Sequence, residues 1–254
     1  MDSGLQTLFT GRQVTNLETI DSTNRFMNKL LAQQRLPEGS AVVAREQTAG
    51  RGQAGSQWFS EPGKNLLMSI VFYPAFLSIQ NLFMLSKVFS LGLYDWLHEI
   101  LKLDVKIKWP NDIYFQNKKL AGILIENSIR HTNLNHTLLG VGLNINQEFF
   151  PAEIPNAVSL KMIMGKTIPI DGCVNAICNA LESRYLQLKA NHLNQINTDY
   201  LKALYRFGEF HEYESDKKKF KAKITGIGDD GKIFLINENG FSEKYDLKEV
   251  TFLM

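Results

Sequence analysis

Cysteine is scarce in this sequence of 254 residues, which contains two cysteines and five histidines. Cys173 and Cys178 lie in a stretch of helical periodicity, and neither a second cysteine pair nor a His-x-His cluster accompanies them. A disulfide framework needs several spaced cysteines, and a structural zinc site needs about four nitrogen or sulfur ligands, so neither is expected. We interpret both cysteines as reduced packing residues of a cytoplasmic protein.

Long apolar runs are also missing, and the charges nearly balance. No run approaches the roughly 20 apolar residues of a transmembrane helix, and residues 1–13 lack the apolar segment of a signal peptide. The net charge of +2 is too small to indicate nucleic acid as the main partner. Hydrophobic residues at 44% and charged residues at 21% are ordinary for a globular chain. The length favours one large domain with a small appendage.

Glycine is concentrated in residues 47–58, QTAGRGQAGSQW. Glycines at this density let the backbone turn its N–H groups toward one point, and Arg51 adds a positive charge, which is typical of a loop that holds an anion. The spelling also satisfies the dinucleotide pattern G-x-G-x-x-G. A Rossmann turn, however, needs a helix directly afterwards, and the following residues contain proline and glycine without helical periodicity. A plain surface loop is the other alternative.

The hydrophobic pattern predicts a mixture of strands and helices. Strands are expected at SAVVARE, NLLMSIVFYP, VKIKWP and HTLLGVGLNIN, with a hairpin formed by residues 112–115 and 120–126. Helices are expected after the cap candidates Ser22 and Thr23, within residues 78–103, and over residues 171–206. The simplest interpretation of the cap candidates is capping alone. Because alternate residues of a strand share a face, Gly140 and Gly142 predict a gap on one side of the sheet.

From Phe207 onward the sequence has the pattern of short strands joined by turns. About fifty residues form too small a core to be secure alone, so we expect a small β-barrel of SH3 type packed on the main domain. The lysines of residues 217–221 could form a nucleic-acid patch, but a solvated turn is favoured. Residues 165–167, Gly-Lys-Thr, mimic the end of a phosphate-binding P-loop. We reject that motif because Leu160 occupies the position of its first glycine.

Five groups of residues then follow one another in a characteristic order. They are Asp21-Ser22-Thr23-Asn24, Glu46-Gln47-Thr48 with Gly50-Arg51-Gly52, Lys108-Trp109-Pro110-Asn111-Asp112, Lys119-Leu120-Ala121-Gly122-Ile123-Leu124, and Gly140-Val141-Gly142-Leu143-Asn144. In this order and spacing the chain resembles the biotin protein ligases, also called biotin–[acetyl-CoA-carboxylase] ligases, over about residues 18–146.

The resemblance implies an α+β fold. A mixed β-sheet with helices on one side would occupy residues 1–206 as the catalytic domain, followed by an SH3-like β-barrel in residues 207–254. Family repressors carry an additional N-terminal DNA-binding domain. The residues before the first motif are too few to form one, so we expect a ligase without repressor function.

The reaction implied by the resemblance has two steps. Biotin and ATP form biotinyl-5′-AMP and pyrophosphate, and the biotinyl group then passes to one lysine of a biotin carboxyl carrier protein. Mg²⁺ is expected to accompany ATP, with unknown protein ligands. The first step brings a carboxylate against the α-phosphate, and two anions at about 4 Å repel by roughly 4 kcal/mol at an effective dielectric of 20. Cations placed between them offset that repulsion.

The same resemblance assigns roles to individual residues. The catalytic cations would be Arg51 and Lys119. The polar groups around the biotin ureido ring would be Ser22, Thr23, Asn24 and Gln47. Further biotin contacts would come from Gly50, Gly52 and Gln53 in the loop, and from Gly122, Leu124, Gly140 and Gly142 in the walls. Besides the two cations, the nucleotide contacts would be Trp58 stacked on adenine, with Asn111, Asp112 and Asn144 serving the nucleotide and its Mg²⁺.

The chain departs from the family pattern directly after Gly-Arg-Gly. A basic residue often follows there, with further arginines before the tryptophan, whereas this chain has Gln53, Ala54 and Ser56. Because positive charge beside the adenylate helps to retain it, we expect weaker retention of biotinyl-AMP than in arginine-bearing relatives.

Two other functions share part of this evidence. Lipoate or octanoate ligases and transferases resemble this family in fold and in acyl transfer to a carrier lysine, but the Gly-Arg-Gly loop and Lys-Trp-Pro-Asn-Asp favour biotin. A non-catalytic biotin-binding module would not need Arg51 and Lys119. The expected partner is the carrier protein, a subunit of acetyl-CoA carboxylase or a related carboxylase, with no nucleic acid or membrane. The chain is expected to be a monomer or a homodimer.

Overall fold

The computed structural model describes residues 4 and 6–253. Residues 1–3, 5 and 254 lie outside the described part. The predicted outer limits of both domains therefore also lie outside it, as does part of the segment in which no signal peptide is expected. The helices are α1 Thr23–Gln33, α2 Phe83–Leu101, α3 Leu160–Met164, α4 Ile170–Lys189 and α5 Leu193–Ala203. The strands are β1 Val14–Ile20, β2 Ala41–Gln47, β3 Leu66–Phe72, β4 Val105–Lys108, β5 Asp112–Phe115, β6 Lys118–Arg130, β7 Asn133–Leu143, β8 Phe210–Ser215, β9 Lys218–Ile227, β10 Ile233–Asn237, β11 Ser242–Tyr245 and β12 Thr251–Phe252.

Seven strands form the main sheet in the order β1-β2-β3-β7-β6-β5-β4. β1 and β2 run parallel, with Val14 opposite Ala41, whereas the other neighbouring pairs are antiparallel. The expected mixed sheet is therefore confirmed. Its order leaves only β3 between β7 and β2, so the loop that follows β2 starts close to the Gly-x-Gly segment of β7.

Alternate residues of each strand point to opposite faces of this sheet. In β3, Met68 and Ile70 join the large core formed with α2, α4 and α5. Val71 packs instead with Met27 of α1 on the other face. α2, α4 and α5 thus form the predicted layer of helices on one side of the sheet. α1 lies on the opposite face, because its apolar stripe packs there.

A second sheet contains five strands in the order β11-β10-β9-β8-β12, and all its pairs are antiparallel. Its buried residues, among them Tyr213 and Ile224, are continuous with the main core. The indole N–H of Trp109 donates to the Gly231 carbonyl at 2.9 Å and joins the two sheets. This small antiparallel unit agrees with the expected SH3-like appendage, and the boundary at residues 206 and 207 stays a prediction.

The surroundings of two motifs exclude the functions that they mimic. The glycine-rich loop continues into a short 3₁₀ turn, Gln53–Gly55, and then β3, so the helix of a Rossmann site does not follow it. Gly165 ends α3 in a left-handed conformation with φ of 68°, so the Gly-Lys-Thr segment joins α3 to α4, whereas a P-loop joins a strand to a helix.

Both cysteines are buried on α4 without a disulfide between them. Burial raises the pKa of the Cys173 thiol to about 11 and that of the Cys178 thiol to about 12, which leaves both protonated at neutral pH. Among the described residues, no helix combines the length and the apolar character needed to cross a bilayer.

Candidate functional site

Glycines of two neighbouring strands form the floor of a cavity on the α1 face of the sheet. Gly122 of β6 lies opposite Gly142 of β7. A Cβ atom on Gly142 would lie 2.5 Å from Cε2 of Trp58, and one on Gly140 would lie 2.7 Å from Oδ1 of Asn24. The gap predicted from the Gly-x-Gly spacing is therefore present, and the side chains of Trp58 and Asn24 approach the sheet there.

Most of the residues predicted for the site line this one cavity. They are Ser22, Thr23, Asn24, Gln47, Arg51, Gly52, Gln53, Trp58, Asp112, Lys119, Gly122, Leu124, Gly140 and Gly142. The structure thus brings the glycine-rich loop and the β6 lysine together, although they are far apart in the sequence.

The polar wall of the cavity is a hydrogen-bond network between α1, β2 and β3. The backbone N–H and the hydroxyl of Thr23 both donate to Oε1 of Gln47, at 2.8 and 3.0 Å. The fully buried Ser69 hydroxyl lies 2.7 Å from the Thr23 hydroxyl and 2.5 Å from Oδ1 of Asn24. The Ser22 side chain makes no capping bond to α1, so its hydroxyl is not occupied by the helix and remains available to a ligand.

The glycine-rich loop folds back on itself beside this wall. Arg51 and Gln57 form an antiparallel bridge, and the Trp58 N–H donates to the Gly50 carbonyl at 3.0 Å. A Cβ atom on Gly50 would lie 2.4 Å from the Trp58 carbonyl oxygen. Gly50 is thus needed for the loop to close, and it does not itself line the cavity.

Both predicted cations reach the cavity, and each is paired with a carboxylate. Nη1 of Arg51 lies 3.0 Å from Oε1 of Glu126. Nζ of Lys119 lies 2.7 Å from Oδ2 of Asp112. Asp112, which was predicted to serve the nucleotide, is therefore the counter-ion of Lys119 in this structure. An anionic ligand must compete with Asp112 for Lys119, whereas Arg51 has further N–H donors besides the one at Glu126.

A second cavity adjoins the first and shares Trp58 and Lys119 with it. Its other walls are largely apolar and include Phe59, Tyr114, Phe150, Ile154, Pro155 and Ala157. Nζ of Lys119 lies 5.6 Å from the centre of the Trp58 ring, so these two residues mark the boundary between the cavities. Burial raises the pKa of Tyr114, which keeps its phenol neutral.

Asn111 and Asn144, the two asparagines predicted to serve the nucleotide, differ in where they lie. Asn111 is fully buried, and neither atom of its side-chain amide has a hydrogen-bond partner among the described residues. It lines neither cavity, and contact between Asn111 and a nucleotide stays a prediction. Asn144 borders the second cavity, but its amide donates to the Val158 carbonyl at 3.1 Å.

Ser69 and Glu126 contact lining residues of the first cavity without lining it themselves, and they were not expected from the motifs. Ser69 is the one polar residue in the strand LLMSIVF, and a polar residue in a fully buried strand was the available signal. Glu126 follows Leu124 by two positions in β6 and therefore shares its face. Nothing in the local sequence indicates that Glu126 meets Arg51.

Comparison with known proteins identifies the family to which this architecture belongs. The model of the Biotin/lipoate A/B protein ligase family matches residues 17–144. The chain is 29% identical over 245 residues to the bifunctional ligase/repressor BirA of Bacillus subtilis (strain 168), covering 95% of this chain and 75% of that protein. It is 30% identical over 228 residues to the biotin–[acetyl-CoA-carboxylase] ligase of Paracoccus denitrificans, covering 86% of this chain and 92% of that protein.

The solved structures give the same result. The biotin protein ligase from Aquifex aeolicus in complex with biotin and ATP matches with a TM-score of 0.77 at 27% identity, covering 94% of this chain and 98% of that one. The fold and the paired cavities thus define a ligase of the biotin/lipoate class. The chain belongs to the Biotin/lipoate A/B protein ligase family.

Proposed function

We propose that this chain activates biotin with ATP to give biotinyl-5′-AMP and transfers the biotinyl group to a lysine of a biotin carboxyl carrier protein. The observation that carries the proposal is that Arg51 and Lys119 meet at one cavity with a polar wall, a glycine floor and a second cavity beside it. Similarity to biotin ligases over most of the chain supports the choice of biotin.

The polar wall suits the ureido ring of biotin. This ring presents one carbonyl acceptor and two N–H donors, and the wall offers the Ser22 hydroxyl and the polar groups of Thr23 and Gln47. A buried ureido group left without partners would cost about 1–3 kcal/mol, so these contacts would select for biotin as well as bind it. The Trp58 indole packs on the glycine floor at Gly122 and Gly142, so the fused rings of biotin would lie beside this indole and against the polar wall.

In the first step, a carboxylate oxygen of biotin forms a bond to the α-phosphorus of ATP. The bond from that phosphorus to the oxygen bridging the β-phosphate breaks, and pyrophosphate leaves with the electron pair. Lys119 borders both cavities and Arg51 borders the first. They are the cations proposed to offset the repulsion of roughly 4 kcal/mol between two anions at about 4 Å.

The second cavity is proposed to hold the adenine base. Its walls are apolar enough for a flat ring, and it meets the first cavity at Trp58 and Lys119, where the α-phosphate would lie. This arrangement keeps Trp58 as the candidate for contact with the nucleotide. Asn144 is retained as a wall residue, whereas Asn111 is not included.

Mg²⁺ fits the site as an ion carried by ATP. In the described part of the chain, no group of three or more His, Cys, Asp or Glu side chains is arranged to hold a metal. Phosphate oxygens and water commonly supply most ligands of Mg²⁺, with one or two carboxylates added by the protein. Asp112 is the carboxylate placed at the first cavity to complete such a set. When bound, the ion would neutralise phosphate charge.

In the second step, the uncharged amine of a carrier lysine attacks the acyl carbon of biotinyl-AMP. The bond from that carbon to the phosphate oxygen breaks, AMP leaves with the electron pair, and the amide nitrogen loses a proton to solvent. The carrier lysine must reach the end of the first cavity where the acyl phosphate lies, beside Lys119.

The test is to incubate the protein with biotin, ATP, Mg²⁺ and a carrier domain, and to search for a biotinylated lysine by mass spectrometry. Pyrophosphate exchange without carrier measures the first step alone, with lipoate as the competing acid. Exchange that depends on biotin and a biotinylated lysine are the expected results. Exchange with lipoate but not biotin would overturn the choice of substrate, and no exchange with either acid would overturn the ligase proposal.

A further inference from the structure

Glu126 of β6 contacts two residues that line the first cavity, Arg51 and Asn24, and is not used in the two steps described above. Its carboxylate joins two parts of the site. Oε1 lies 3.0 Å from Nη1 of Arg51 in the glycine-rich loop, and Oε2 accepts a hydrogen bond from Nδ2 of Asn24 at 2.7 Å. One side chain fixed on the sheet therefore contacts both the loop and the wall proposed to bind biotin.

The contact with Arg51 is distinctive for the loop. In the described part of the chain, it is the only polar side-chain contact between residues 50–57 and the sheet. The other hydrogen bonds of these residues stay within the loop: the Gly52 N–H donates to the Ser56 carbonyl, and the Ser56 hydroxyl donates to the Gln53 carbonyl. Hydrogen bonds within the loop thus maintain its conformation, and the ion pair with Glu126 is its polar side-chain contact with the sheet.

The contact with Asn24 fixes the orientation of an amide. Because Nδ2 donates to Glu126, Oδ1 is turned toward the Ser69 hydroxyl. The reverse orientation would place the amide oxygen against the carboxylate of Glu126, and two acceptors without a proton between them repel. Glu126 therefore determines which atom of Asn24 each neighbour meets.

We propose that Glu126 is a positioning residue for adenylation. Its negative charge holds the loop of Arg51 beside the cavity, and its acceptor oxygen orients Asn24 in the wall. The kinetic part of this inference rests on the proposed function, whereas the part that concerns the loop does not. The side chains of Arg51 and Glu126 are 38% and 27% exposed, so loss of the pair should change the loop equilibrium by only about two- to fivefold.

Glu126→Gln separates the two contacts. The amide keeps an oxygen that can accept from Asn24, but it has no charge to pair with Arg51. Glu126→Ala removes both contacts. Glu18→Gln is the matched control, because it breaks an exposed ion pair of similar type at the sheet edge, where Glu18 lies 3.5 Å from Arg45.

Hydrogen exchange in the ligand-free protein measures the loop directly. The amides of residues 50–58 should exchange about two- to fivefold faster in Glu126→Gln than in wild type. They should be unchanged in Glu18→Gln, with residues 133–143 of β7 as the internal reference. In pyrophosphate exchange, the KM for ATP should rise by a similar factor in Glu126→Gln while the KM for biotin is unchanged. Both KM values should rise in Glu126→Ala.

Three outcomes decide the matter. Wild-type exchange rates at residues 50–58 in Glu126→Gln would overturn the positioning role. So would a KM for biotin that rises equally in Glu126→Gln and Glu126→Ala, because the charge and the acceptor would then not be separable. Absence of pyrophosphate exchange in the wild type would count against the proposed function alone, since the hydrogen-exchange comparison would still decide the role of Glu126.

Discussion

Lys119→Ala tests the electrostatic account of the first step. Nζ of Lys119 borders both cavities and lies 2.7 Å from Asp112. A carboxylate and a phosphate at about 4 Å repel by roughly 4 kcal/mol at an effective dielectric of 20, and a cation near both can offset an amount of this size. Loss of Lys119 should therefore cost about 3–4 kcal/mol, a decrease of about 10²–10³ in the rate of adenylation. An ion pair of which one-third is exposed contributes about 0–1 kcal/mol, so the fold should persist.

Asp112 provides a second variant for the same test. Without Lys119, its carboxylate is an unpaired anion near the phosphates and adds repulsion of its own. Lys119→Ala combined with Asp112→Asn should recover about fivefold of the lost rate, which corresponds to about 1 kcal/mol. A double variant that is slower than Lys119→Ala would instead assign Asp112 to Mg²⁺.

The assay is ATP–pyrophosphate exchange at saturating biotin, with thermal unfolding as the check on folding. Lys118→Ala is the matched control, because Lys118 is the preceding residue of β6 and is exposed. We expect Lys118→Ala to retain the wild-type rate. Activity of Lys119→Ala within about threefold of wild type, or an equal loss in both lysine variants, would refute the role given to Lys119.

Three further predictions concern the floor, the loop and the fold. Gly142→Ala should weaken biotin binding about tenfold in titration calorimetry, because its Cβ would lie 2.5 Å from the Trp58 ring, whereas Gly172→Ala, with nothing within 4 Å of its Cβ, should bind normally. Gln53→Arg should slow release of biotinyl-AMP because it adds a positive charge at a residue lining the cavity. Equal release rates in Gln53→Arg and wild type would contradict the hypothesis that the missing charge weakens retention of biotinyl-AMP. Burial alone would raise the pKa of Glu182. Hydrogen bonds from three backbone N–H groups lower this pKa by a larger amount, so the net change is a decrease. Because the pKa of Glu182 is lower in the folded state than in the unfolded state, its ionised carboxylate stabilises the fold at pH values above the unfolded-state pKa. Glu182→Gln should therefore lower the free energy of unfolding by about 1–3 kcal/mol near pH 7, and urea titrations should show this difference shrinking below pH 4.5, the ordinary pKa.

Buried elements of the fold could be predicted from local pattern, and exposed ones could not. β3 is buried at every position, and its sequence LLMSIVF indicates a central strand directly. β1 is exposed along most of its length, because it forms the edge of the sheet and pairs only with β2. Its side chains therefore lack the buried alternation that predicts a strand. The apolar stripe of α1 predicted a packed helix, but a stripe alone does not determine which face of the sheet receives it.

The site follows the same division. The motif residues could be predicted as a set because their order and spacing resemble those of the biotin protein ligases. Their pairings depend on strand register and loop path, which place Glu126 beside both Arg51 and Asn24. Asn111 is the opposite case: it belongs to a motif, but the fold buries it away from both cavities.

The pairing of each cation at the cavity with a carboxylate leads to a prediction about how the two substrates bind. Glu126 and Asp112 compensate Arg51 and Lys119, so neither cation attracts an anion from a distance as a free charge would. Biotin should then bind chiefly through its ring, in the polar wall and on the glycine floor, where salt has little effect. ATP must instead draw Lys119 away from Asp112, whereas Arg51 can contact a phosphate with its other N–H donors while it stays paired with Glu126.

We therefore expect that an increase in salt from about 0.05 to 0.5 M changes the Kd of biotin by less than about twofold. The same increase should weaken ATP binding severalfold. Titration calorimetry with each ligand alone measures both effects, and Glu18→Gln should leave both unchanged because its ion pair is remote from the cavity. Equal salt dependence for the two ligands would contradict the argument. It would mean that the carboxylate of biotin already takes a cation from Glu126 or Asp112 when biotin binds.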